Sequence, residues 1–127
     1  MTCFWDGILR ALQKDAKQRI GNCNHTNFIH YLKKNNKKTN DVKWNGYTLS
    51  NQELTEHYNA VSQYNIGKIR NGHLCSTCDS FLLLICDIFN VNIQHRYMNT
   101  TIRYNKKDAR RTIHFASNRG HFWHSRN

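Results

Sequence analysis

No apolar run in this chain is longer than six residues, the stretch 81–86. A membrane-spanning helix needs about 18, so none is encoded. The N-terminus lacks the basic, then apolar, then small-residue progression of a secretory leader. Five cysteines, an odd number in no regular framework, do not form the pattern of a secreted disulfide scaffold. Together these absences lead us to expect an intracellular protein with reduced thiols and no membrane association. Proline is absent altogether, and no internal repeat or low-complexity segment interrupts the chain. Nothing marks a linker, and 127 residues suit one domain with a genuine core, spanning 1–127. Acidic residues are scarce: 8 Asp+Glu stand against 19 Lys+Arg, a formal charge of +11. That balance favours anionic partners, meaning nucleic acid, acidic protein or anionic lipid.

What is present reads as helices first and strands second. Phe4, Trp5, Ile8, Leu9 and Leu12 recur at helical spacing and predict an amphipathic helix over 3–18, with Thr2 as its N-cap. Phe28, Ile29, Tyr31 and Leu32 mark a short helix over 26–34, followed by a polar, basic loop through KKNNKKTND. Ser50 and Glu53 have capping-box spacing at the start of a third helix bearing Leu54, Tyr58 and Val61. CSTCDSFLLLICDIFN predicts a helix that is apolar nearly all round over 81–89, hence central and buried, with Ser76 or Thr77 as its cap. From VNIQHRYM onward the period falls towards two, and TIRY, RTIHFAS and HFWH continue it. The fold class expected is α+β, with N-terminal helices packed on a small antiparallel sheet.

Two residues at opposite ends suit thiol chemistry. A cysteine at a helix N-terminus meets the positive end of the dipole, which favours the nucleophilic thiolate, and Cys3 has that position. The proton acceptor in such sites is usually a distant histidine held on a sheet. His121, after the Asn118-Arg119-Gly120 turn, fits that role. HLCSTC offers a second possibility, since His73, Cys75 and Cys78 with Cys23 and His25 have the types for zinc. A single Cys-x-x-Cys without a partner is a weak signal, and we expect no metal and no cofactor. His57 and His114 read as packing or surface residues and Cys86 as core. His124 falls on the strand face opposite His121 if that segment is extended, and so is expected to be a poor alternative base.

CFWDGILRAL resembles the cysteine-plus-helix motif of the OTU (ovarian tumour) class of papain-like cysteine peptidases. DSFLLLICDIFNVNI, TIRY and TIHFASNRGHFW resemble that family's second half, in particular the OTU-like proteins of giant DNA viruses. The resemblance implies a papain-like, OTU-like fold and a deubiquitinase-type thiol hydrolase acting on ubiquitin or a related modifier. It makes Cys3 the nucleophile and His121 the general base. Where the family carries an Asp-Gly-Asn-like loop before the cysteine, this sequence has Met1 and Thr2, which leaves the Cys3 amide as the oxyanion donor. Two positions after the histidine, where the family often has Asp or Asn, stands Trp123, which only donates. Asn118, Ser117 or a backbone carbonyl remains to orient the imidazole. A cleft that grips ubiquitin's basic tail is expected to offer acids, here Asp6, Glu53, Glu56 or Asp79.

The rival reading keeps such a fold without turnover and uses its charge to bind nucleic acid or an acidic protein. Lys33, Lys34, Lys37, Lys38 and Lys43 form one basic group, and Lys106, Lys107, Arg110 and Arg111 another. Tyr31, Trp44 and Tyr104 are interleaved with them, as counterion release and base stacking require. No helix-turn-helix, RNP or zinc-finger signature accompanies them.

Overall fold

The computed structural model describes residues 3–21, 23–68 and 75–125, excepting the side chains of residues 68 and 75–78. Thr2, His73 and the side chains of Cys75, Ser76, Thr77 and Cys78, which figure in the expected caps and the zinc set, lie outside the described residues.

The first amphipathic segment is two helices rather than one: α1 (Cys3–Ala11) and α2 (Gln13–Ile20). Leu12 between them leaves the helical region at φ −108°, ψ 18°, yet the ladder continues across it, with the Leu12 amide donating to Ile8 O at 3.0 Å and the Ala16 amide to Leu12 O at 2.8 Å. Helix α3 (His25–Lys34) is capped by Asn24, whose side chain accepts from the Asn27 amide at 2.8 Å. Helix α4 (Asn51–Ser62) starts at the expected capping box. There the Ser50 hydroxyl accepts from the Glu53 amide at 3.1 Å and the Ser50 amide donates to Glu53 Oε1 at 2.9 Å. Helix α5 (Cys75–Phe89) is the central element, with Phe81, Leu82, Leu83, Leu84, Ile85 and Cys86 all buried.

Among the described residues six strands follow the order β2-β1-β4-β3-β5-β6. Four were expected: β3 (Asn92–Tyr97), β4 (Thr100–Lys106), β5 (Thr112–Ser117) and β6 (Phe122–Ser125). Two were not: β1 (Val42–Trp44) and β2 (Tyr47–Thr48). They form a two-residue hairpin over Asn45 and Gly46, both at positive φ, 49° and 82°. That is the backbone an Asn-Gly turn adopts.

The sheet is mixed, which corrects the expectation of an antiparallel one. With β1 on the far edge of β4, the chain leaving β4 passes the start of β3, and β5 docks on the other side, parallel to β3. The Arg110 amide donates to Asn90 O at 3.0 Å and the Asn92 amide to Arg111 O at 2.8 Å, fastening this crossing.

Residues directly opposite on neighbouring strands share a face. Ile93, His95, Tyr104, Ile113, Phe115 and Phe122 are buried on one side. There α5 packs on β1, β3 and β4, while α1 packs on β6. Trp5 joins the two regions, meeting Phe81 edge-on at 4.8 Å. Among the described residues, no helix is long and apolar enough to cross a membrane.

The cap of α4 is testable in two ways. Ser50→Ala should lower unfolding stability by about 1 kcal/mol in a urea titration. The Ser50 amide, and then its hydroxyl, hold the Glu53 carboxyl below the usual glutamate value. A lowered folded-state value means the stabilisation is present at neutral pH and is lost as pH falls through that value. The stability gap between the native chain and Glu53→Gln should therefore close as pH drops below about 4. A gap that stays constant into strong acid contradicts this origin.

Candidate active site: a cysteine and histidine cleft

Helix α1 places its residues by the 3.6 period. Phe4, Trp5 and Ile8 enter the core, while Cys3, Gly7 and Arg10 form an adjacent stripe that meets β6. Cys3 begins the helix, at the positive end of its dipole, and is 7% exposed. Gly7 sets the distance of approach. A Cβ there would come within 3.1 Å of the Phe122 ring and 3.4 Å of the His124 amide nitrogen. Only a residue without a side chain leaves both helix and strand undisturbed.

Strand β6 follows a turn in which the Asn118 amide donates to His121 O at 2.9 Å. The Asn118 side-chain oxygen accepts from the Gly120 amide at 3.0 Å. This carboxamide oxygen, expected as an acceptor for the imidazole, thus serves the turn. Beyond it the strand alternates. Phe122 points towards α1 and is held by Phe4 at 4.8 Å, Phe115 at 5.0 Å and His95 at 5.3 Å. His124 shares that side, its ring 5.8 Å from Phe115. His121 and Trp123 take the other side and stack on each other at 5.4 Å and 20°.

Helix and strand enclose a cleft of about 210 Å³, with Cys3, Asp6 and Arg10 on one wall and His121, Trp123 and His124 on the other. It brings together the two ends of the chain, Cys3 and His121 as the sequence pairs them, and adds His124. The alternation of HFWH signals this addition: a buried Phe122 implies that its neighbour two positions on also faces the helix. The Asp6 carboxylate lies 2.8 Å from His25 Nε2. It also lines a second, larger groove of about 510 Å³ with Arg10, Lys17, Cys23 and His25. Burial pushes the Cys23 thiol up. Of the acids expected near substrate, Asp6 alone among the described residues lines the cleft. Glu53 caps α4, Glu56 accepts from Gln52 at 3.1 Å, and Asp79 accepts from the Tyr104 hydroxyl.

The other sequence candidates have structural partners. The His57 ring lies 2.8 Å from the Ser80 hydroxyl. Burial pushes the Cys86 thiol far up, consistent with a core position. Among the described residues no group of three His, Cys, Asp or Glu side chains is arranged to hold a metal ion. Five of the eight predicted nucleic-acid-binding residues are tied to protein acceptors. Lys33 donates to Tyr64 O at 2.6 Å, Lys37 pairs with Asp87 at 3.2 Å, and Lys106 with Asp41 at 4.0 Å. Arg110 and Arg111 both pair with Asp15, the latter at 2.6 Å. Lys34, Lys38 and Lys107 are exposed.

The class defined here is an α+β domain whose first helix and last strand enclose a thiol and two imidazoles. No protein-family model, curated protein or solved structure matches the chain.

The close approach at Gly7 carries a stability prediction. Gly7→Ala should change stability by no more than about 1 kcal/mol, because the helix-propensity gain opposes the tight contact. Gly7→Val should cost about 1–3 kcal/mol by overpacking against Phe122. Urea denaturation measures both, and equal stability for all three chains would show that α1 does not seat on β6 in this way.

Proposed function

We propose that the protein is a cysteine peptidase of OTU-like type, hydrolysing the isopeptide or peptide bond that follows ubiquitin or a related modifier. The observation that supports it is the single cleft holding Cys3 with His121 and His124. The resemblance of CFWDGILRAL and TIHFASNRGHFW to that class of peptidases points the same way.

In this reading an imidazole of the HFWH segment takes the Cys3 proton. The thiolate attacks the scissile carbonyl carbon, and the Cys3 amide at the helix start donates to the developing oxyanion. The imidazolium returns the proton to the leaving amine. Water then attacks the thioester, with the same imidazole as base, and the thiol is regenerated. His121 is the base that the family resemblance selects, and His124 is the one that strand alternation turns towards α1. The two lie on opposite sides of β6, so one of them serves.

A ubiquitin probe with a C-terminal electrophile should form a covalent adduct, detected by intact mass. Cys3→Ala should abolish it. One of His121→Ala and His124→Ala should slow it by about 100-fold or more, while the other stays within a few-fold of the native chain. Adduct formation that survives Cys3→Ala, or that is indifferent to both histidine variants, overturns the assignment.

A further inference from the structure

We infer that the open face of the sheet binds single-stranded nucleic acid, away from the basic loops and meeting the thiol cleft only at Trp123 and His121. Helices α1 and α5 pack on the sheet's buried side, and the residues alternating with that core point the other way. They include Lys43 on β1, Arg103 on β4, Gln94 and Arg96 on β3, His114 on β5 and Trp123 on β6. None of the six strands contains Asp or Glu, so all eight acids of the chain lie outside them. Charge is therefore segregated: carboxylates occur on helices and in turns, while this face carries cations alone.

Its geometry fits a polyanion with exposed bases. Arg103 lies opposite Gln94, and Arg96 opposite Thr101, so the two arginines are diagonal neighbours on adjacent strands, about 7–8 Å apart at their Cα atoms. Both are exposed, and neither makes an ion pair with a described residue. Like charges so placed repel, and a phosphate between them relieves that repulsion. Beside them runs a groove of about 340 Å³ lined by Gln94, Arg96, Thr101, His114 and Ser125, which supplies amide, hydroxyl and imidazole groups for base edges. Across Ala116 from Arg96 stands Trp123, with His121 stacked on it at 5.4 Å. The exposed His121 ring offers a face on which an unpaired base can continue the stack. A duplex, whose bases are already stacked, cannot use that face, which selects a single strand.

The test is fluorescence anisotropy of a fluorescein-labelled 12-nucleotide oligouridylate, titrated at several salt concentrations. Arg96→Gln/Arg103→Gln should weaken binding about tenfold or more at low salt and reduce the salt slope by about 1.4, two phosphate contacts on a single strand. Arg96→Lys/Arg103→Lys should keep most of the affinity. Trp123→Leu should weaken binding about tenfold, and Trp123→Phe far less, because phenylalanine retains an aromatic face. Cys3→Ala should bind like the native chain, which separates this inference from the peptidase reading. The inference is overturned if Lys34→Gln/Lys38→Gln/Lys107→Gln loses as much affinity as the arginine pair. It is equally overturned if the oligonucleotide does not bind, or if polyglutamate of equal charge displaces it at equal concentration.

Discussion

The contact between Gly7 and strand β6 is the constraint on which the candidate site depends. It joins the first helix to the last strand, so the two walls of the cleft come from segments far apart in sequence. The missing side chain lets α1 settle against the Phe122 ring and the His124 amide. The same settling fixes how far Cys3, one turn earlier, stands from the histidines. Phe4, Phe115 and His95 surround Phe122 from the helix and two neighbouring strands, and a ring so held leaves β6 little freedom to slide. A one-residue slip would also turn Phe122 to solvent.

Outside the aromatic core, a few polar ties hold the layers in register. Asp15 on α2 receives both Arg110 and Arg111 from the crossing between β4 and β5, and its carboxylate is only 12% exposed. That crossing lets β5 lie parallel to β3, so the ion pairs secure the least local feature of the topology. Lys37 reaches from the loop after α3 to Asp87 on α5. The His95 ring meets the Ser117 hydroxyl at 2.6 Å inside the core, linking the parallel strands at the end where the turn to β6 begins. Much of the basic character that reads from sequence as a nucleic-acid surface is spent in these ties. Lys43, Arg96 and Arg103, on the strand face away from the helices, make no ion pair with a described residue.

The helices and the later strands were legible in the sequence because each rests on local chemistry. The Ser50 and Glu53 box, the continuous apolar surface of α5 and the period-two runs after Val91 carry their own signals. The hairpin of β1 and β2 was hidden, since three and two residues are too few to show alternation and both strands depend on pairing with β4. Asn45-Gly46 was the available signal for it. Strand order was also illegible: consecutive strands suggest antiparallel hairpins, and nothing local to residues 107–111 says that β5 must pair with the far side of β3. In the site, Cys3 and His121 could be paired from sequence by residue type and order. His124 required knowing which face of β6 the helix covers, and Asn118 required seeing its side chain fold into its own turn.

In the proposed peptidase, Cys3 and one histidine of the HFWH segment work as a unit. Turnover of a ubiquitin C-terminal aminocoumarin amide measures it most directly, comparing the native chain with Cys3→Ser, His121→Ala and His124→Ala. Measurable hydrolysis is expected from the native chain, none from Cys3→Ser, and a drop of about 100-fold or more in one histidine variant alone. Hydrolysis retained in Cys3→Ser, or absent from the native chain, would contradict it.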